Sequence, residues 1–380
     1  MSKKSVVVLG GGYAGLSSAI RLAQNERLTV HLVDQAPFFL NTIRLHKTIM
    51  LDLDALRVDH ASLARKHGYE FHQSAIDLDR GLLRKWADDS SLPLESGERL
   101  DFDFLVLALG GRSIPIMRDE TPGFVTLEHI KQRGAQLVLE EMLSSGPNDA
   151  DPARFVFVGA GATALQFVFE LEPRIRAHNA NAEIILVDIA DQLLPGTPRP
   201  FHDYAVRMLK RSRIDYRPGT RFLGGDLSAV KLQQGDQPSY TLSAKGVFLF
   251  PGVHAHPFAI QTNVYGQLLL NEKTHENIYA AGDCARFDGP GTNAQTAQAA
   301  VRKGRRVATN IERAVEGKAP QRYTFKELGY FVSLGPWDGM GWLLVDFNVL
   351  TGVAAFAVKE AIELQFGLFL EGVDTYIEFL

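Results

Sequence analysis

The chain is poor in cysteine. Among 380 residues there is one, Cys284. That excludes an internal disulfide, a Cys-based metal site and any chemistry that shuttles through two thiols of one chain. Charge of either sign is also lacking in excess. Forty Lys and Arg against 44 Asp and Glu leave a net charge of -4, and no basic run marks a nucleic-acid footprint. Long apolar runs are missing too. The longest candidate, Trp342 to Val358, is interrupted by Asp346 and falls short of the roughly 18 residues a spanning helix needs. The N-terminus, MSKKSVVVLG, has no apolar h-region or small-residue cleavage site, so a cytoplasmic protein is expected. What is abundant is apolar residue, 46% of the chain, which is enough for two or three domains.

Glycine stands where it matters. A β-branched run, Val6 to Leu9, leads into Gly10-Gly-Gly12-Tyr-Ala-Gly15, and LSSAIRLAQ follows with helical spacing. Strand, glycine turn and helix give the GxGxxG pattern its meaning. Gly10 permits the tight turn. Gly12 lets the backbone approach a pyrophosphate at the positive end of the helix. Gly15 lets helix and strand pack closely. The next strand, LTVHLVD, ends in Asp34, placed to accept bonds from a ribose diol.

The pattern recurs. RFVFVGAGATALQFVFEL carries Gly159, Gly161 and an alanine at the third position, Ala164. The strand AEIILVD then ends in Asp188. An acid there repels a 2′-phosphate and favours NADH over NADPH. Two loops imply two dinucleotides, and the economical pairing is FAD in the first and NADH in the second. A third element, ENIYAAGD, reads as a strand ending in Gly282-Asp283, followed by a helix from about Asn293. Asp283 is expected to face a ribityl hydroxyl or phosphate.

GGGxxG, LVLALGGR at 105–112 with Gly110, GAGxxA, LFPGV at 249–253 and NIYAAGDCA at 277–285 together resemble the two-dinucleotide-binding flavoproteins. The resemblance implies an α/β chain of two Rossmann-like domains, the NADH domain inserted in the FAD domain. The expected division is 1–119 (FAD, first part), 120–245 (NADH), 246–325 (FAD, second part) and 326–380, a small α+β end, with links near IPIMRDETPG and LSAKG. Disulfide reductases of this family carry two cysteines where this chain reads PFFLNTIRLHKTIM, residues 37 to 50. Cys284 is therefore expected to be a buried packing residue. Electrons must then pass from reduced flavin to an outside acceptor.

AQAAVRKGRRVATNI, residues 297 to 311, resembles the AQxxxQxG segment that lines the quinone pocket of type II NADH:quinone oxidoreductases. Gln298 matches, and Arg302 replaces the second Gln. One turn apart, both can face one cavity as donors to a quinone carbonyl, though Arg302 is equally suited to pair elsewhere. Gln166 stands where that group has Glu. NTIRLHK and SLGPWDGMG look closer to the apoptosis-inducing-factor-like quinone reductases of the ferroptosis-suppressor type. Both groups imply an FAD-dependent NADH:quinone oxidoreductase that pumps no protons. Asn41 fits a position near the flavin, and His46 and Lys47 are candidate proton donors more readily explained as structural.

The C-terminal segment reads as two strands around Pro336–Asp338 and an amphipathic helix, with Val358, Ile362, Phe366 and Phe369 on one face and Lys359, Glu360 and Glu363 elsewhere. Trp337, Trp342, Phe366, Leu368, Phe369 and Leu370 are the residues expected to meet either the inner face of the cell membrane or a second subunit, uses that are not exclusive. Two other readings stay open: a reductase of a small redox protein, and a low-turnover flavin- and NADH-binding sensor.

Overall fold

A computed structural model describes residues 2–76, 78–113, 121–144, 152–255, 259–289 and 293–376. The chain forms two compact units that interleave along the sequence. One comprises Met1–Leu40, Arg57–Arg112 and His254–Lys326; the other Asn41–Leu56, Ser113–Val253 and Glu327–Leu380.

The first unit is built on an eight-stranded sheet. Its strand order is Ala285–Phe287, Ile260–Thr262, Gln267–Leu270, Lys273–Ala280, Phe104–Leu107, Lys4–Leu9, Leu28–Asp34 and Glu70–Gln73. The last five are mutually parallel. Val6, Val7, Val8 and Leu9 at the centre are at most 1% exposed, which is why that strand reads as an unbroken apolar run. The helix Tyr13–Ala23 crosses the helix Ala297–Val315 very closely. A Cβ at Gly304 would lie 2.2 Å from the Ala14 carbonyl oxygen, and Ser18 Oγ donates to the Gly304 carbonyl at 3.0 Å.

The second unit has a five-stranded parallel sheet in the order Phe124–Thr126, Gly246–Leu249, Arg154–Val158, Glu183–Val187, Ile214–Arg217. A three-stranded antiparallel sheet, Thr220–Gly224, Val230–Gln234 and Tyr240–Leu242, closes one face of its core. The segment Thr42–Ile49 winds as 3₁₀ helix in this unit.

Several expectations are corrected. The chain leaves this unit at Val253, not at residue 245, because Gly246–Leu249 pairs between Phe124–Thr126 and Arg154–Val158. It enters at Ser113 rather than 120, and most of the expected link IPIMRDETPG lies outside the described residues. The C-terminal end and residues 41–56 cluster with the second unit. That end has three antiparallel strands, Gly329–Ser333, Gly339–Leu343 and Val345–Thr351, not two. Only Leu344, at φ +68°, separates Val345–Thr351 from the strand before it, so the sequence reads the two as one continuous strand.

The final helix, Val353–Leu370, is turned differently from the expected face. Lys359 and Glu363 point inward at 5% and 4% exposure, with Phe366 and Phe369. Ile362, Leu364 and Leu368 point outward. The burial of charge is tolerated because Lys359 Nζ pairs with Glu363, and Lys47 and Arg44 approach the same carboxylate at 3.1 and 3.4 Å. Trp342, Phe366, Phe369 and Leu370, expected at an interface, are 8% exposed or less. Among the described residues no helix is long and apolar enough to cross a membrane.

Candidate functional site

In the first unit, Gly10 has φ +99° and donates its N–H to the Val33 carbonyl at 2.8 Å. A Cβ there would sit 2.4 Å from the Ala108 carbonyl oxygen, so only glycine fits. Gly12 caps the helix Tyr13–Ala23 without a side-chain bond, and nothing lies within 4 Å of where its Cβ would be. The helix N-terminus thus begins beside open space, the arrangement a pyrophosphate needs at the positive end of a helix. Asp34 clasps this loop: Oδ2 accepts from Gly11 N at 2.5 Å and Oδ1 from Ala36 N at 2.7 Å. Each carboxylate oxygen keeps a second lone pair for a ribose hydroxyl. His60, absent from the sequence reading, is fully buried against this loop and packs on Phe71 with ring centroids 5.0 Å apart. Neither ring nitrogen has a hydrogen-bond partner among the described residues. Burial holds its pKa below the usual value against the pull of Asp34, so it is a neutral group able to donate or accept.

At the same end of these parallel strands, just past Ala280, Asp283 Oδ1 is buried with no hydrogen-bond partner among the described residues. Burial raises its pKa, opposed by Lys303 and Arg286. Gln295 Nε2 is likewise buried with no hydrogen-bond partner among the described residues. Orphaned buried polar atoms of this kind are costly unless a ligand completes them. With the open space before Gly12, they fit FAD, which Gly12, Asp34, Asp283 and Gln295 would hold. Gly110, at φ +68°, ends the turn after Phe104–Leu107. The helix expected from Asn293 begins at Ala297, capped by Thr296, because the Asn293 amide is spent on both backbone groups of Phe287.

Lys303 is the residue the sequence hid. It reads as one more charge on a basic helix, yet it is 1% exposed. Its Nζ donates to the Gly282 and Ala285 carbonyls at 3.3 and 2.9 Å and lies 5.0 Å over the Phe287 ring. Burial pushes its pKa down to about 8, against the attraction of Asp283. Cys284 is fully buried, and its thiol lies against the carbonyls of Ala281 and Leu107 at 3.3 and 3.6 Å. Burial pushes its pKa up to about 11, the opposite of what a reactive thiolate requires.

The second unit repeats the first loop's geometry. Gly159 has φ +109°, donates to the Val187 carbonyl at 2.8 Å, and would bring a Cβ to 2.2 Å from the Phe250 carbonyl oxygen. Gly161 caps the helix Ala162–His178 and, like Gly12, faces open space. Asp188 Oδ2 accepts from Ala160 N and Oδ1 from Ala190 N, both at 2.6 Å. Asp191 stands nearby, its Oδ1 within 3.2 Å of a Cβ at Gly219. Two carboxylates at this strand end disfavour a 2′-phosphate.

Of the remaining sequence candidates, Gln298 and Arg302 belong to the first unit and Gln166, His46, Lys47 and Asn41 to the second. Gln298 and Arg302 are half-buried on the Ala297–Val315 helix. Arg302 Nη1 donates to the Lys326 carbonyl at 2.7 Å, and its guanidinium lies 5.6 Å over Phe325. In the second unit, the Gln166 amide meets His46 Nδ1 at 2.9 Å, and Ser333 Oγ lies 3.2 Å from His46 Nε2. His46 is 2% exposed, and burial, then Lys359, Lys47 and Arg44, hold its pKa well below the usual value, so it is neutral. Lys47 pairs with Glu360 and Glu363. One turn beyond Gln166, burial pushes Glu170 up to about 7 despite Lys359 and Lys47. Glu170 was not singled out from sequence, and Lys359 and Glu363 were read only as polar residues off the apolar face of the last helix. The i, i+4 pairs Gln166–Glu170 and Lys359–Glu363 were the available signal. Asn41 donates its backbone N–H to the Leu56 carbonyl at 2.9 Å and starts the 3₁₀ segment that carries His46.

Relatives and neighbours agree with this picture along the whole chain. Type II NADH:quinone oxidoreductase of Staphylococcus saprophyticus is 23% identical over 98% of this chain and 97% of its own. The enzyme of the same description from Staphylococcus aureus strain NCTC 8325 is 24% identical, over 96% and 95%. Among solved structures, the sulfide:quinone oxidoreductase of Aquifex aeolicus superposes with a TM-score of 0.80 at 18% identity, covering 99% of this chain and 93% of that one. NDH2 from Plasmodium falciparum in complex with NADH gives 0.77 at 13%, covering 97% of each. These structures share the α/β fold. The family model for pyridine nucleotide-disulphide oxidoreductases matches residues 4–304, so the chain belongs to that family.

Proposed function

We propose that the chain is an FAD-dependent NADH:quinone oxidoreductase. The observation that carries this is the pairing of two intact pyrophosphate loops with a single, buried, high-pKa cysteine. The disulphide chemistry of the family's name needs two thiols, so the acceptor must be another molecule. The relatives that match end to end are described as NADH:quinone oxidoreductases.

When bound, FAD supplies the two-electron relay between NADH and the acceptor. The residues supply position and charge. Gly12 and Asp34 orient one dinucleotide, and Gly161 and Asp188 the other. Lys303 sets the positive potential beside Asp283. Gln298 is the proposed donor to a quinone carbonyl. Arg302 holds Lys326 and Phe325 in place rather than meeting the acceptor. Reducing a quinone with NADH consumes one proton beyond the hydride. Within the second unit, Glu170, titrating near neutrality, is a group able to store and release a proton, with His46 kept neutral beside Gln166 and Ser333.

The outward apolar residues of the C-terminal segment support contact with a membrane surface, where quinone dissolves. Trp337, Phe347, Leu344, Val353, Leu364 and Leu368 are each between 45% and 83% exposed.

The test is anaerobic stopped-flow. The purified yellow protein is reduced with NADH and then mixed with a short-chain ubiquinone or menaquinone. Reoxidation much faster than by air supports the reading. A long-lived reduced state would defeat it and favour a sensing role.

A further inference from the structure

We propose that His31, Glu70 and His72 form a binding site for a borderline first-row divalent cation, Zn²⁺ foremost, on the edge of the eight-stranded sheet. His31 comes from the strand Leu28–Asp34; Glu70 and His72 come from the edge strand Glu70–Gln73. The parallel register sets His31 against Glu70 and Val33 against His72, and the period of two puts all three side chains on one face.

The donor atoms converge. His31 Nδ1 lies 3.1 Å from His72 Nε2 and 3.3 Å from Glu70 Oε2, and the last two are 3.9 Å apart. Zn–N bonds of about 2.0–2.1 Å and Zn–O bonds of about 2.0–2.2 Å put tetrahedral ligand atoms about 3.3 Å from one another. The triangle already has nearly the size a tetrahedral ion imposes. A hydrogen bond between the two imidazoles accounts for one of its sides but not for the third donor turned to the same point.

The imidazoles are preset. Their side chains are 15% and 17% exposed, held by the sheet, whereas the Glu70 side chain is 61% exposed and free to adjust by the few tenths of an ångström required. Glu98 acts electrostatically on His31 and adds negative charge to the surroundings. Two nitrogens and one carboxylate oxygen select Zn²⁺, Ni²⁺ or Cu²⁺ over Mg²⁺ or Ca²⁺, which prefer oxygen alone. The fourth position is left for water.

The location gives the ion a structural consequence. Three residues after His31, Asp34 clasps the first pyrophosphate loop, and its carbonyl accepts from Ser74 N at 3.0 Å, just past His72. An ion here would tie the edge strand to the strand that carries Asp34.

The experiment uses untagged, FAD-loaded protein freed of metal by chelation. Co²⁺ is titrated in, and its visible d–d absorption reports coordination number; Zn²⁺ is then added as competitor. One equivalent with the intense tetrahedral band, displaced by Zn²⁺ and accompanied by a rise in melting temperature, is expected. H31Q and H72Q should each weaken binding by more than about 100-fold, and E70Q by about tenfold. E70Q alters an exposed side chain on an edge strand, so it reports even where a histidine variant misfolds. No stoichiometric binding, a weak octahedral spectrum, or Co²⁺ affinity unchanged in E70Q would overturn the proposal.

Discussion

Replacing Glu170 by Gln should stabilise the protein at neutral pH, and by an amount that grows with pH in a defined way. Burial raises the folded-state pKa of Glu170 from the ordinary 4.5 to about 7. Between those values the unfolded chain has released its proton and the folded chain still holds one. The unfolded state therefore binds fewer protons, and stability falls as pH rises, by about 1.4 kcal/mol per unit. A shift of about 2.5 units integrates to about 3 kcal/mol, fully lost above pH 7 and absent below 4.5. Gln has the shape of the protonated acid and cannot ionise, so E170Q escapes the loss. The variant should exceed the native protein by about 1 kcal/mol at pH 5, about 2 at pH 6 and about 3 at pH 8. Urea titrations followed by tryptophan emission measure this directly, since Trp337 and Trp342 lie in the same unit as Glu170. A gap that is flat across pH 5 to 8, or that shrinks as pH rises, would show that Lys359 and Lys47 outweigh burial. Glu170 would then be an ordinary ionised partner and no store of protons.

Other consequences are simpler to read. Gly159→Ala drives a Cβ to 2.2 Å from the Phe250 carbonyl oxygen, so NADH-dependent flavin reduction should fall more than about 100-fold while bound flavin, measured by absorbance, is unchanged. Cys284→Ala should leave quinone turnover within about twofold; a tenfold loss would contradict the reading of Cys284 as packing. Phe347→Ser with Leu364→Ser, both on exposed positions, should lower co-sedimentation with liposomes and leave turnover of a water-soluble quinone intact.

The geometry of the two glycine loops was legible because it is local. Gly10, Gly159, Asp34 and Asp188 act within one strand–turn–helix, and the spacing of the glycines is the geometry itself. Cys284 was legible by elimination, since no second thiol exists. The failures share a cause. Lys303 and Lys359 look like surface charge in any reading by helical wheel; burial is made tolerable for Lys303 by Asp283, distant in sequence, and for Lys359 by Glu363, one turn along the same helix and also approached by Lys47. His60 gave no signal at all, because its position depends on Arg57–Asp59 pairing with Phe38–Leu40, a contact no periodicity encodes. The inverted final helix is the same lesson. Hydrophobic pattern assumes that charge goes to water, and here an ion-pair network took its place inside.

The twin loops carry a consequence for ligand discrimination. FAD and NADH share an ADP half, and under the proposed assignment the two loops would present to it the same turn, the same open helix end and the same clasping acid. To that shared half the loops are interchangeable. Selectivity would then reside in the walls: the buried His60, tilted against Phe71 and without a hydrogen-bond partner among the described residues, beside one loop, and the second carboxylate of Asp191 beside the other. Free ADP is the natural probe of that division of labour, since it samples both loops and is told apart only by what stands next to them.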